Sequence, residues 1–325
     1  MKETPTAACQ TFVFLLLDGL SLMSLASAIE PLRSCNRLLG QEAYRWVLAS
    51  IGGEPVAASN GIALQAVPVE AALDGAAILF LCGGLRVRPA NERRYLAVLR
   101  RAARRGVPLG ALSTGSYLLA RAGLLTGYRC TIHWENRPAF MEDFPELLCT
   151  DRLYEVDRNR LTCSGGTAAM DLMLRLVADR HGPDLARRVA NQFHHQRIRG
   201  MQDEQRGGRL DHAAGLPPAL REALRAMTEQ IEDPLPIPVL AARAGVSARQ
   251  LERLFLRYAH MSPARYYLAL RVDRARELLT YSDLTLLEVS VASGFTSTSH
   301  FAQWFRRFHR MRPSELREQA RKGLA

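Results

Sequence analysis

Two stretches in the last hundred residues repeat one pattern, and that repeat limits the chain's fold more than any other feature. Each has a short helix with an apolar face, then a glycine, then a second helix opened by a serine. Val239, Leu240 and Ala244 precede Gly245, and Leu287, Val289 and Ala292 precede Gly294, 49 residues later. A glycine suits a turn that requires positive φ, and Ser247 and Ser297 stand where an N-cap hydroxyl satisfies free helix N–H groups. The second helices turn Leu251, Leu254 and Phe255, or Phe301, Trp304 and Phe305, toward a core. Their opposite faces carry Ala248, Arg249, Gln250 and Arg253 in one unit, and Thr298, Ser299, Ala302 and Gln303 in the other. One helix-turn-helix pattern is a weak signal. Two of them joined by a long helix over Pro263–Tyr281 predict an all-α double helix-turn-helix whose second helices meet base edges in a DNA major groove. Charge agrees: residues 218–325 hold 17 Lys and Arg against 11 Asp and Glu, whereas the 217 residues before them hold 26 against 21. Arg249 and Arg253 give the first unit the stronger base-reading potential, because guanidinium forks match guanine edges. The second unit, with Thr298, Ser299 and Gln303, is expected to do more positioning.

The preceding part alternates apolar runs with helical patterns. Thr11–Leu17, Tyr44–Ile51, Ala76–Cys82 and Val107–Leu112 read as strands. Leu20–Leu39, Asn91–Arg105, Thr114–Ala122, Thr167–Asp179 and Pro183–Arg197 read as helices. Continuous apolar strands between helices predict an α/β doubly wound, mainly parallel sheet, with sites at the carboxyl ends of its strands. The polar, glycine-rich stretch 200–216 reads as a linker between a domain over 1–199 and one over 217–325. Six scattered cysteines without CxxC spacing argue against a zinc site and against a disulfide framework. His194 and His195 diverge by about 100° on a helix, cannot share a metal, and read as surface or interface residues. No metal or other cofactor is expected. The amino terminus lacks the regions of a signal peptide, and the first apolar run is too short to span a membrane, so a cytoplasmic chain is expected.

Residues 217–318 resemble the DNA-binding domain of the AraC/XylS family. Ala244–Gly245–Val246–Ser247, Arg249, Leu251, Arg253, Phe255, Pro263, Tyr266 and Leu270–Arg271 carry the likeness in the first half; Val289–Ser290, Gly294–Phe295, Ser299, Phe301, Phe305, Phe308 and Pro313 carry it in the second. The resemblance implies two second helices in successive major grooves of double-stranded promoter DNA, and contact with RNA polymerase during activation.

In Gly110–Ser116 a strand ends, Ser113 sits on a tight turn and a helix begins; His133 follows 20 residues later. This stretch resembles the flavodoxin-like PfpI-type, class I glutamine amidotransferase-like superfamily, in which the elbow residue is a cysteine. Here it is Ser113, and the acid the superfamily carries early in its first helix has no counterpart in Leu20–Ala28, Glu30 being the nearest. Ser113 and His133 therefore read as a degenerate catalytic site, with a Ser113/His133-dependent amidase or hydrolase as the alternative. The two domains together resemble the GlxA-type regulators. Ser24–Arg33, Ser59–Gly61, Tyr128–Glu135 and Cys163–Asp171 are most similar to members that sense glycine betaine or carnitine, with amino acids as further effectors. The resemblance implies a homodimer that activates amine-catabolic genes. Glu30, Ser113, Thr114, His133, Trp134 and Glu135 are the expected effector residues: an indole face for a quaternary ammonium, Glu30 or Glu135 for added charge, and amides after Ser113 for a carboxylate. The indole reads equally well as a core aromatic. Gly165–Gly166 reads as a close-packing turn, and a reactive Cys163 as a minor alternative.

Overall fold

A computed structural model describes residues 8–84, 87, 89–205 and 216–321. They fall into two compact units, one ending at Gln205 and one containing the helices from Pro218 onward. The first is built on seven strands: β1 (Gln10–Leu16), β2 (Tyr44–Ser50), β3 (Val67–Pro68), β4 (Ala76–Cys82), β5 (Leu109–Leu112), β6 (Tyr154–Asp157) and β7 (Arg160–Cys163). They lie in the order β6-β7-β5-β4-β1-β2-β3. Every neighbouring pair is parallel except the β6–β7 hairpin at one edge. The central strand β1 explains the layering. Phe12, Phe14 and Leu16 enter one core with residues of helices α1 (Leu22–Leu39), α5 (Ala168–His181) and α6 (Pro183–Asn191). Val13, Leu15 and Leu17 enter another with α2 (Glu92–Arg104) and α3 (Ser116–Arg121). Successive side chains of a strand point to opposite faces, so an unbroken apolar run needs cover on both. A short helix α4 (Arg137–Asp143) follows the segment after α3. The antiparallel β6–β7 edge lies outside the strand pattern read from sequence.

Three expectations change in this unit. The helix expected over Pro183–Arg197 ends at Asn191, and His194 takes a left-handed φ of 52°. That turn sends His195 inward, so the two histidines are not a surface pair: His194 is exposed, whereas His195 Nε2 lies 2.7 Å from Oδ1 of the fully buried Asp171. Arg199 closes the same carboxylate through its backbone N–H at 2.8 Å and its Nε at 2.9 Å. Of the linker expected over 200–216, residues up to Gln205 pack on the first unit: Leu153 N donates to Asp203 O, and Gln205 N to Asp151 O. Leu216 packs in the second unit, and residues 206–215 lie outside the described residues.

The second unit is helical throughout: α7 (Pro218–Glu229), α8 (Ile237–Arg243), α9 (Ala248–Ala259), α10 (Pro263–Tyr281), α11 (Leu286–Ala292), α12 (Thr298–His309) and α13 (Pro313–Arg321). Its two repeats close their turns with the same hydrogen bonds. Gly245 N donates to Ala242 O and Val246 N to Ala241 O; Gly294 N donates to Val291 O and Phe295 N to Ser290 O. Both sets form the Schellman pattern, in which a left-handed residue ends one helix and turns the chain into the next. The two glycines have φ values of 67° and 74°. Their surroundings differ. A Cβ on Gly245 would meet nothing within 4 Å, whereas one on Gly294 would stand 2.3 Å from Ile231 O and 2.8 Å from Pro234 Cγ. Arg271 of α10 ties down the same second turn, donating to Ser293 O at 3.1 Å and Gly294 O at 2.6 Å.

These differences set the response to substitution. Gly245→Ala should cost about 1 kcal/mol, the strain of a left-handed alanine. Gly294→Ala adds a backbone collision and should cost at least twice as much; urea denaturation of the two variants, showing equal midpoints, would refute the distinction.

Candidate effector site and nucleic-acid interface

The carboxyl ends of β1, β4, β5 and β7 meet at one point, and glycines permit it. Leu17 N donates to Cys82 O, and Ser21 N to Gly83 O, so the segment after β1 lies against the end of β4. A Cβ on Gly83 would come within 2.4 Å of Gly115 N, and one on Gly84 within 2.0 Å of Gly19 O. Thr114 Oγ1 donates to Gly84 O at 2.7 Å. From the β7 side, Gly165 has φ 96°, and a Cβ there would stand 2.8 Å from Ser113 Cβ and 2.9 Å from Ser24 Oγ. Gly166 N donates to Ser24 Oγ at 2.7 Å. Gly165 therefore serves a contact between loops as well as the approach of a helix.

Ser113 sits at this junction with φ 58° and is 6 % exposed. A left-handed non-glycine residue between a strand and a helix is the geometry of a nucleophile elbow. Among the described residues no hydrogen bond reaches the Ser113 hydroxyl, and the α1 side chain at this junction is Ser24 rather than an acid. Glu30 lies further along α1, where it pairs with Arg33 at 2.6 Å on the exposed side. Cys163 is fully buried, and burial pushes its thiol up to about 12, which leaves it inert at neutral pH.

The segment Thr131–Glu135 is tied to the elbow helix. Ser116 Oγ donates to Thr131 O at 2.7 Å, and Thr131 N donates to Thr162 Oγ1 at 2.9 Å. Thr131 and Ile132 are fully buried, and the chain then surfaces. His133 Nδ1 lies 4.0 Å from Glu135 Oε2, and its ring is 5.8 Å from that of Trp134. Trp134 is 37 % exposed, so its indole is not a core aromatic. The next residue but one, Asn136, is buried with no partner for its Nδ2 among the described residues. The sequence pattern singles out neither Asn136 nor Gln205, which carry no motif, and it marks Ser24 and Thr131 only as members of longer stretches. Gln205 Nε2 donates to Thr131 Oγ1 at 2.9 Å, Ile132 O at 2.9 Å and Arg152 O at 3.0 Å. The last described residue of the first unit thus grips the segment that leads to Trp134.

In the second unit each second helix is capped as its serine implies. Ser247 Oγ accepts from Gln250 N at 3.2 Å, and Ser297 Oγ from His300 N at 3.2 Å. Gln250 Oε1 reaches back to Ser247 N at 2.9 Å, completing a capping box. This is a departure for Gln250: its carbonyl holds the helix start, and only its amide nitrogen remains for a base edge. Ala248, Arg249 and Arg253 are exposed, as are Thr298, Ser299 and Gln303, while Ala302 is partly covered. Leu251 and Phe255, or Phe301 and Phe305, face inward. His300 lies on the same early turn of α12 and accepts from Trp304 Nε1 at 2.7 Å. An open groove of about 380 Å³ runs beside α12, lined in part by Thr298, Gln303 and Arg306.

A mostly parallel α/β domain with an elbow at its strand ends, followed by two helix-turn-helix units, defines a class of protein. Residues 10–179 match the DJ-1/PfpI family, and residues 240–319 match a helix-turn-helix domain. The chain belongs to the GlxA-type regulators of the AraC family. It is 45% identical over 313 residues to the HTH-type transcriptional regulator GbdR of Pseudomonas aeruginosa, covering 95% of this chain and 84% of that one. It is 43% identical to CdhR of the same species, over 95% of this chain and 91% of that one. GlxA of Rhizobium meliloti is 37% identical, over 96% of each chain. Among solved structures, an AraC family transcriptional regulator from Pseudomonas putida is 34% identical with a TM-score of 0.53, covering 57% of this chain and 99% of that one. A THiJ/PfpI family protein from Pseudomonas syringae shares the fold at 22% identity and a TM-score of 0.52, covering 75% of this chain and 94% of that one. Among the described residues no helix is long and apolar enough to cross a membrane.

Burial holds the His133 imidazole below its ordinary value, with the Glu135 carboxylate opposing. The unfolded chain then binds a proton more readily than the folded one near pH 6.5, so acidification favours unfolding. His133 is neutral in the folded protein at pH 7, and stability should fall as pH drops from about 7 to 5. His181 shifts the same way and is present in every variant compared. His133→Gln should flatten the slope of thermal midpoint against pH; an unchanged slope would contradict the assignment.

Proposed function

We propose that this AraC-family DNA-binding regulator is a ligand-responsive activator whose first domain senses rather than catalyses. The observation that carries the sensing half is the exposed Trp134 beside Glu135, on a segment tied to the elbow helix. An indole face attracts a cation through its quadrupole, an effect of about 0.5–2 kcal/mol depending on desolvation. A nearby carboxylate adds charge attraction, and His133 stays neutral. A buried donor without a partner, such as Asn136 Nδ2, costs roughly 1–3 kcal/mol, so a ligand acceptor there gains from relieving it. This chemistry fits a small quaternary amine that carries a carboxylate, of the glycine betaine or carnitine type, with amino acids as competitors. The Ser113 hydroxyl, which makes no hydrogen bond among the described residues, supports the reading of a former active site turned to binding.

Gln205 supplies a route from the sensor to the rest of the chain. A ligand that moves Thr131–Glu135 changes the acceptors of its amide, and Gln205 leads directly into the stretch before the DNA-binding domain. A ligand shifts such an equilibrium only by its difference in affinity for the two states. Function as a homodimer, with promoter DNA and RNA polymerase as partners, completes the proposal.

Two experiments test it. Glycine betaine and carnitine should raise the thermal midpoint of the protein, because a ligand that binds the folded state stabilises it. Trp134→Ala should abolish that rise; an undiminished shift in the variant would sink the indole site. On DNA, Arg249→Ala and Arg253→Ala should each cost ~1–3 kcal/mol at a specific operator and relax base preference there. Uniform weakening across all sequences would make both arginines phosphate contacts.

A further inference from the structure

Cys130 and Cys149 face each other across a two-stranded parallel ladder, in which Arg129–Cys130 pairs with Leu148–Cys149 and the two cysteines are register partners. Paired residues of a ladder project to the same side, and adjacent strands lie about 4.7–4.9 Å apart. That spacing falls inside the roughly 4.4–6.8 Å separation of Cα atoms that a disulfide accepts. Thr150 holds the register, its N–H donating to Cys130 O at 2.8 Å and its hydroxyl to the same oxygen at 3.4 Å. Both residues are free thiols, Cys130 buried and Cys149 partly exposed. The Cys149 thiol donates to Thr150 O at 3.8 Å, and the two side chains are close enough to influence each other's ionisation. Proximity to Cys130 draws Cys149 below the ordinary thiol value, and the Arg137 guanidinium adds to the effect against the opposing influence of burial. The same proximity and burial push Cys130 up. The pair therefore divides into a partly exposed, more acidic thiol at Cys149 and a buried one at Cys130, the arrangement of an attacking and a resolving cysteine.

We propose that Cys130 and Cys149 form a reversible dithiol–disulfide switch, oxidised by hydroperoxides, on the ladder that leads into the effector segment. The Cys149 thiolate attacks a peroxide oxygen, the O–O bond breaks, and the departing oxide takes up a proton. Cys149 is left as a sulfenic acid. Cys130 then loses its proton and attacks the Cys149 sulfur; the S–O bond breaks, and water leaves. The peroxide is reduced by two electrons and the dithiol is oxidised by two, so no further reagent is needed. A low-molecular-weight thiol reverses the step by exchange. A disulfide formed by adjacent strands in a reducing compartment is a sensing bond rather than a framework bond.

The position gives the switch its consequence. The disulfide closes a loop that contains His133, Trp134 and Glu135, and Thr131, the residue after Cys130, is the one gripped by Ser116, Thr162 and Gln205. Oxidation stiffens the base of the effector segment. The chemistry of the bond does not depend on which effector the segment holds.

The test uses the full chain carrying Cys9→Ser, which removes the exposed thiol that would otherwise link two molecules. The protein is treated with hydrogen peroxide, its remaining thiols are alkylated, and its peptides are mapped by mass. The expected result is one linked peptide joining Cys130 to Cys149, lost on treatment with dithiothreitol, and a thermal midpoint several degrees higher for the oxidised form. Cys149→Ser should show neither. Separate recovery of the Cys130 and Cys149 peptides, either unmodified or as sulfinic and sulfonic acids, at a peroxide dose that fully oxidises Cys9 in the parent protein overturns the proposal.

Discussion

The first domain depends on backbone meeting backbone at the ends of its parallel strands. Gly83, Gly84, Gly115 and Gly165 lie where any Cβ would strike a neighbouring main chain or a short side chain. Removing the side chains lets four strand ends converge, and this convergence holds Ser113 in its left-handed turn. Strain at such a position persists only when the surroundings over-determine it; here Thr114 is fastened to Gly84, and Gly166 to Ser24. The junction has an elbow's shape because packing enforces it, whatever side chain stands at the turn.

The same economy runs through the second domain. Each repeat turns on one left-handed glycine, and each second helix starts on one serine cap. The repeats are not equivalent in their surroundings. The second turn is buried against the bend at Ile231–Pro234 and clasped by Arg271, whereas the first is open. One helix-turn-helix is thereby fastened to its unit by backbone contact and a guanidinium, while the other relies on the apolar face formed by Leu240, Leu251 and Phe255.

Between the elbow and the segment carrying His133, Trp134 and Glu135 the connection is a chain of hydrogen bonds through Thr131. Its carbonyl, amide and hydroxyl all have partners: Ser116, Thr162, the carbonyls of Thr150 and Arg152, and Gln205. A buried polar hub of this kind is stiff when fully satisfied and costly when broken. It links the indole of Trp134 to the amide of Gln205, and the cysteine ladder enters it one residue away.

Much of this was legible in the sequence because it rests on local rules. Apolar runs of strand length marked four of the sheet's strands, and glycine and serine at fixed offsets marked both helix-turn-helix units together with the exposure of Arg249, Arg253, Thr298, Ser299 and Gln303. The remainder depended on contacts between residues far apart in the chain. His195 faces Asp171 because a left-handed residue at His194 ends a helix whose pattern reads as continuing. Gln205, in a polar stretch that reads as linker, is drawn into the first domain by carbonyls of residues 132 and 152. Cys130 and Cys149 become neighbours only when two short strands pair. Residue type and spacing by themselves determined the class of fold and which side chains of the second helices lie exposed, since periodicity and capping act within a few residues. Which buried polar groups meet was decided only by the tertiary structure, because a hydrogen bond or a thiol pair depends on distances that folding alone sets.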